Sequence, residues 1–500
     1  MNRIKKGFAE EVNRFLGKWT LNVGTMDAGA PFYVLILLVS SVLNGHYYIS
    51  IILLRGVVRM KAKIKTFPQG ARIGEFKSDT ATKDIIDAAT PEEVVIPLQQ
   101  HIGAPCKPLL GKGEHVKIGQ KIGDSDSFVS APVHASISGE VTAIEPRKTP
   151  LGQKVLSVVI ESNGKHEIAS ELESFGDDLP DSKQLIKIIR EAGIVGMGGA
   201  AFPTHVKLSP PEGAKIDSVI INGCECEPYL TGDHRLMLEN PGDILHGLRA
   251  IMKTLGVRNG YIGIEDNKPD AIKSMEKAAS GNEDIKVIPL ESKYPQGAEK
   301  MLIKAILNRK VPSGKLPLDV GVVVNNIGTT KAIADAVSKG MPLIERIVTI
   351  SGSNIKNTGN YRVRLGTSFL HLINGSGGLK EESGKVIMGG PMMGKTQHNL
   401  DIPVMKGTSG IVLLTEAEAA VPEPGPCIRC ARCVDVCPLG LLPAVLANCS
   451  EREKLAEIEE LHITDCIECG SCSYVCPAKR PLVHWIRLGK AKVAAERAKA

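Results

Sequence analysis

Eight cysteines near the C-terminus fall into two copies of one spacing: Cys427, Cys430, Cys433 and Cys437-Pro438, then Cys466, Cys469, Cys472 and Cys476-Pro477. Each copy reads C-x2-C-x2-C-x3-C-P, a run whose first three thiolates hold one [4Fe-4S] cubane while the fourth reaches the other cluster. On that rule Cys427, Cys430, Cys433 and Cys476 form one ligand set, and Cys466, Cys469, Cys472 and Cys437 form the second. Paired zinc knuckles are the plainer alternative, but zinc sites typically put longer spacers between their two cysteine pairs. A disulfide framework fits poorly, because eight of the twelve cysteines lie in one patterned module of a 500-residue chain. Two adjacent one-electron carriers make this an electron-transfer protein.

A second set of residues could hold a nucleotide. The stretch from Gly193 through Gly196, Gly198 and Gly199 to Lys207 is dense enough in glycine for backbone amides to approach a phosphate, with a lysine one turn further on. It fits neither the Rossmann nor the P-loop pattern, and glycine-rich turns are more often only turns. Its company strengthens it: Asn222-Gly223-Cys224-Glu225-Cys226-Glu227-Pro228, then Tyr294-Pro295-Gln296-Gly297-Ala298-Glu299, then Asn325-Asn326-Ile327-Gly328-Thr329. Asn222-Gly223 and Asn325-Asn326 each follow a β-branched run. Between Ser182 and Ser338 such runs alternate with helical patterns, which predicts a mainly parallel sheet covered by helices. Ligands of such sheets sit at the carboxyl ends of the strands.

The remaining elements divide the chain into pieces. Residues 60–180 are β-rich and broken by turns such as Gly111-Lys112-Gly113 and Ser138-Gly139. The runs at 116–123 and 130–139 resemble the hammerhead fold of biotinyl and lipoyl carriers, although no lysine lies between Lys121 and Lys148 to carry a swinging arm. Residues 181–340 are the α/β piece, 341–420 a small β-grasp module without evident chemistry, and 421–485 the two-cluster domain, entered through a proline-rich joint. Residues 486–500 read as a basic helical tail with a solvated face. Within the N-terminal extension of residues 1–59, the segment 32–54 has the length of a membrane span but is broken by Asn44, Gly45 and His46. An anchor, a cleaved signal segment, or an extension ahead of a natural start at Met60 all fit it. With 61 basic and 55 acidic residues, a net charge of +6 and no long run of one sign, nucleic acid is not an expected partner.

The four polar segments, in this order, resemble the flavin and NADH site of the flavoprotein subunit of respiratory complex I, with its G-R-G-G-A-G-F-P, N-A-D-E-S-E-P, Y-x-x-G-E-E and N-N-x-E-T motifs. Together with the hammerhead-like piece and the double cysteine run, the chain from Met60 onward is similar to the C subunits of Rnf complexes, ferredoxin:NAD oxidoreductases coupled to ion transport. The resemblance implies a Rossmann-like FMN/NADH domain, an SLBB-like β-grasp module, and FMN, NAD(H) and two [4Fe-4S] clusters as cofactors. It puts Gly196, Gly198, Gly199 and Lys207 near the FMN phosphate, and Asn222, Tyr294, Gly297, Asn325, Asn326 and Thr329 around the flavin. Glu225 and Glu227 would be an acidic pair beside the nicotinamide. Met197 stands in place of the family arginine, Cys224 and Cys226 in place of aspartate and serine, and Ala298 in place of a glutamate. The two cysteines read most simply as small buried thiols, and Cys106 and Cys449 as isolated structural ones. The implied partners are an iron-sulfur B subunit and integral membrane subunits, with ferredoxin reached indirectly, at the cytoplasmic face of the inner membrane. No catalytic side chain is expected, because the cofactors carry the chemistry. A flavin-free relay or docking subunit and a cobalamin reductase of the same family are the alternatives.

Overall fold

A computed structural model describes residues 64–169, 173–382 and 384–499, with the backbone of four strands before them. Those strands, Thr20–Asn22, Leu38–Leu43, His46–Leu53 and Gly56–Lys61, form an antiparallel sheet. The apolar stretch that has the length of a span therefore supplies two paired strands on either side of Asn44-Gly45, a dipeptide that favours two-residue hairpins. Among the described residues no helix is long and apolar enough to cross a membrane.

The next piece packs a three-stranded sheet against a four-stranded one. Its long hairpin pairs Gly139–Lys148 with Lys154–Ser162. Inward positions, among them Val94, Ile96, Ile122, Val141, Val158 and Ile160, fill the space between the layers, as alternation along a strand requires. One strand departs from this layout: Ile85–Asp87 leaves the barrel and pairs in parallel with Gly359–Arg364, at the edge of the β-grasp sheet.

In the α/β piece the strands Ser218–Gly223, Asn259–Glu265, Ile285–Leu290 and Val322–Asn326 are all parallel. Numbered by sequence, their spatial order is 3-2-1-4. The order therefore reverses between Ser218–Gly223 and Val322–Asn326, and a crevice opens at such a switch point. Alternation sorts the core. Ile220, Val322 and Val324 face Leu302, Ile303 and Ile306 of the helix Glu299–Leu307. Val219, Ile221, Val323, Ile262 and Ile264 face the other way, towards the helices Pro241–Leu255, Pro269–Ala279 and Ile327–Lys339. Helix ends carry local signals: Pro241 opens one helix and Gly256 closes it in the left-handed conformation, while the Asn326 side chain accepts from the N–H groups of Gly328 and Thr329.

The β-grasp sheet has six strands, with Glu345–Ser351 between Gly359–Arg364 and Gly410–Leu414. A buried lysine fastens three pieces together. Lys406 Nζ donates to Pro132 O of the barrel at 2.7 Å and to Gly193 O of the α/β piece at 2.6 Å. The C-terminal helix, Leu482–Lys499, keeps most of its basic side chains exposed and docks an apolar stripe on the cluster domain. Leu482, Ile486 and Val493 are buried against Leu446, Ile458 and Ile463, and Arg487, Lys490, Lys492 and Arg497 pair with Glu468, Glu453 and Glu459. Its basic residues answer acidic neighbours on the cluster domain, which sequence spacing within the helix alone does not reveal.

The helix that Asn326 caps packs closely on Pro241–Leu255, where a Cβ at Gly247 would lie 2.0 Å from Thr330 O. Gly247→Ala should therefore cost about 1–3 kcal/mol, the range for overpacking, and a lowered thermal midpoint would report it.

Candidate redox site

The glycine-rich segment is a closed loop. Gly196 N donates to Phe202 O at 2.8 Å and Thr204 N to Ile194 O at 3.0 Å, so residues 198–200 form an exposed tip. Gly199 adopts φ +151° with no atom within 4 Å of where a Cβ would stand, and a Cβ at Gly198 would come to 3.2 Å from Asn326. The loop thus lies over the switch point. Met197 N donates to Thr329 Oγ1 at 2.8 Å, which fixes the loop to the first turn of the capped helix.

Where the resemblance would put arginine, Met197 is buried and a different arginine stands beside it. Arg346, from the β-grasp strand, donates to Met197 O at 2.9 Å and to Thr408 O at 3.1 Å, and its third nitrogen lies 3.2 Å from Met197 Sδ. Burial lowers its pKa, while Asp233 and Glu225 nearby work to raise it.

On the other side of the crevice Asn222 is the register partner of Asn326. Its Nδ2 donates to Gly297 O at 2.7 Å, so it draws the Tyr294 segment to the strand end. Tyr294 is buried with no partner for its hydroxyl, and the Gln296 amide and Asn325 Nδ2 also lack partners. Unsatisfied polar groups this deep are rare in finished sites, so their presence around one crevice fits a polar ligand held there. Lys207 pairs with Glu299 at 2.5 Å.

The 224–230 loop is shaped by a residue far away in sequence. Lys77 Nζ donates to the carbonyls of Glu225 at 2.7 Å, Glu227 at 2.9 Å and Leu230 at 2.5 Å. With its carbonyls gathered on the ammonium, the loop sends its carboxylates elsewhere. Glu225 accepts from Asp233 N at 2.7 Å and His234 N at 3.2 Å, at the start of the helix Gly232–Glu239. Glu227 accepts from Met392 N at 3.1 Å and Met393 N at 2.8 Å. Cys224 is buried beside Lys268, whose ammonium donates to Cys224 O and lies 3.4 Å from Glu265 Oε2. Burial pushes Glu265 up to about 7, with Lys268 and Lys77 pulling against it. Burial likewise raises Cys226 to about 12, so neither it nor Cys224, also raised by burial, is a ready thiolate at neutral pH.

The eight patterned cysteines separate into two groups. Cys466, Cys469, Cys472 and Cys437 line one recess of about 370 Å³, part of it open to solvent. In it Leu441 N points at Cys437 Sγ and Glu468 N at Cys466 Sγ, each at 3.4 Å. Burial and mutual repulsion raise Cys466 to about 11 and Cys472 to about 12, a crowding that a cationic core would relieve. Cys433 is raised by burial and by Cys430 and Cys476 beside it, while Cys427 and Cys430 are exposed. The recess faces two neighbouring pieces: a Cβ on Gly470 would come to 3.1 Å from Met392 O of the β-grasp piece, and Cys469 lies near Tyr294 of the α/β piece and helps to raise its pKa.

Comparison with known proteins agrees with this layout. The RnfC barrel sandwich hybrid domain matches residues 65–165, the Nuo51 FMN-binding domain 189–335, the SLBB domain 347–396 and the 4Fe-4S dicluster domain 426–480. The chain is 49% identical over 442 residues to the C subunit of the Na(+)-translocating ferredoxin:NAD(+) oxidoreductase complex of Acetobacterium woodii, covering 88% of this chain and all of that one. It is 50% identical over 448 residues to the C subunit of the proton-translocating ferredoxin:NAD(+) oxidoreductase complex of Clostridium ljungdahlii, covering 87% and 96%. The chain belongs to the RnfC family. Among solved structures, an NAD+-reducing [NiFe]-hydrogenase in the air-oxidized state aligns over 63% of this chain and 66% of its own at 18% identity and a TM-score of 0.44. Family membership brings an FMN-binding domain and a dicluster domain into one chain, in the order in which the sequence motifs occur.

Lys77, Asp233, Arg346 and Met392 are site residues that no motif announces. Asp233 accepts from Asn326 Nδ2, and burial, then Glu225, raise its carboxyl to about 6. A carboxyl raised in the folded state keeps its proton where the unfolded chain has lost it. Stability should therefore fall as pH rises from about 4 to about 6. Asp233→Asn should flatten that slope, read from urea midpoints across the window.

Proposed function

We propose that this chain is the peripheral subunit that passes electrons between NAD(H), FMN and two [4Fe-4S] clusters in a membrane complex coupling ferredoxin and NAD chemistry to ion transport. FMN, when bound, exchanges electron pairs with a nicotinamide and single electrons with a cluster. The chain's own residues bind, orient and enclose. Gly198 and Gly199, at the tip of the loop that Gly196 closes, offer backbone amides to the phosphate with Lys207 nearby, Asn325, Asn326 and Thr329 surround the switch-point crevice, and Asn222, Tyr294 and Gly297 form its opposite wall. Arg346 supplies a buried positive charge beside the loop where Met197 cannot. The observation that carries the reading is the packing of Gly470 on Met392, whose N–H donates to Glu227 in the loop that follows the Asn222 strand end, so that the second cluster recess lies beside that crevice. This makes Cys466, Cys469, Cys472 and Cys437 the ligands of the inner cluster. Cys427, Cys430, Cys433 and Cys476 hold the outer one, whose exposed Cys427 and Cys430 face partners.

Those partners are an iron-sulfur B subunit, reached by ferredoxin, and integral membrane subunits, with this chain at the cytoplasmic face of the inner membrane. The names of the relatives support the complex and the substrates. Anaerobically purified protein should contain FMN and about eight iron atoms, as two cubanes require, and NADH should bleach flavin and cluster bands together. Iron without flavin, and no response to NADH, would leave a flavin-free relay subunit instead. Cys437→Ala should remove the same electron paramagnetic resonance signal as Cys466→Ala, and Cys476→Ala the same signal as Cys427→Ala. Loss in the opposite pairing would overturn the crossed ligand sets.

A further inference from the structure

The resemblance sets Glu227 beside the nicotinamide, yet its carboxylate already has two partners. Both are backbone N–H groups of the β-grasp loop, Met392 at 3.1 Å and Met393 at 2.8 Å. A carboxylate that accepts two amides forms charge-assisted bonds, the stronger class. The loop is shaped for this grip: a Cβ at Gly390 would lie 2.2 Å from Glu227 Oε2 and 2.7 Å from Glu227 Cβ, so only glycine admits the carboxylate there. On its far side the same loop meets the inner cluster's own loop, through Met392 O and Cε against Gly470. On the near side Lys77 fixes the backbone of Glu227 through its carbonyl. Glu227 thus stands in a chain of contacts running from Lys77, through the loop at the strand end, to Met392 and the cysteine run that holds cluster two.

We propose that Glu227 is a positioning residue for electron transfer, a latch that holds Met392 between the flavin crevice and cluster two, rather than a contact to the nicotinamide. This rests on the reading above and deepens it. With the latch closed, Met392 fills the gap and keeps the two redox sites at fixed separation. With it open, the loop loses its only carboxylate anchor among the described hydrogen bonds of Met392 and Met393.

Two variants approach the latch from opposite sides. Gly390→Ala forces the loop and the Glu227 side chain apart while leaving the carboxylate chemically intact. Glu227→Gln keeps the side chain's size but replaces one acceptor by a donor that faces an N–H. In the full chain with flavin and clusters loaded, stopped-flow mixing with NADH separates flavin bleaching from cluster bleaching. Gly390→Ala should slow cluster reduction while flavin bleaching keeps the wild-type rate. Glu227→Gln should match it, and the double variant should be little worse than either, as coupled residues are. If Glu227→Gln instead raises the NADH concentration needed for flavin bleaching while Gly390→Ala behaves as wild type, Glu227 is a nicotinamide contact and the latch is wrong. Hydrogen exchange at the Met392 and Met393 amides gives a reading that needs no flavin. Protection in the wild-type chain that both variants lose supports the latch, and protection unchanged by either overturns it. Failure of wild-type protein to hold FMN would count against the proposed function alone.

Discussion

One buried ammonium organises the centre of this protein. Lys77 donates to three carbonyls of the 224–230 loop, and by gathering them it turns the loop's side chains outward in fixed directions. Glu225 then meets the start of one helix, Cys226 packs towards Gly297, and Glu227 reaches the β-grasp loop. Burial lowers the Lys77 pKa, and Glu225 and Glu265 are among the charges that oppose the shift. A buried charge persists only where it is hydrogen-bonded and balanced, and the carbonyl cage with these carboxylates meets both conditions. Lys77 belongs to the N-terminal piece, so the shape of this loop depends on the contact between that piece and the α/β piece.

The same logic recurs wherever two pieces meet. Lys406 joins the barrel hairpin to Gly193 at the root of the glycine loop, and Arg346 joins the β-grasp strand to Met197 near its tip. Both are long cations that reach across a boundary to backbone carbonyls. Such bonds demand fixed backbone positions on both sides, so they hold orientation more sharply than apolar packing alone. The hammerhead-like barrel therefore serves as a bracket here. Its Pro132 carbonyl, in the region that resembles carrier domains, is buried against Lys406 instead of lying free.

Electron transfer imposes the remaining constraint, because a two-electron site and one-electron clusters must be held close without water between them. Tyr294 is almost wholly buried and lies near both Cys226 and Cys469, and Met392 packs on Gly470 beside the same cysteine recess. The cysteines that remain exposed are those of the other set. The two sets of cysteines therefore differ in their access to solvent, the set that lines the recess being the more enclosed.

The sequence by itself determined the metal chemistry and the plan of the fold. Cluster ligation is local: three thiolates of each set lie within seven residues, so spacing alone carries the signal. Alternating β-branched runs and helical patterns give a parallel sheet because each pattern reflects burial of its own element. The polar clusters at Asn222 and Asn325-Asn326 mark strand ends for the same reason. What only the tertiary structure decided is which distant groups answer one another. Lys77 and Glu225 are 148 residues apart, Arg346 and Met197 149, and Glu227 and Met393 166. The strand order that makes a crevice between Asn222 and Asn326, the loan of Ile85–Asp87 to another sheet and the docking of the basic tail belong to the same class. Each depends on how finished layers pack on one another, and no periodicity within a single element records that.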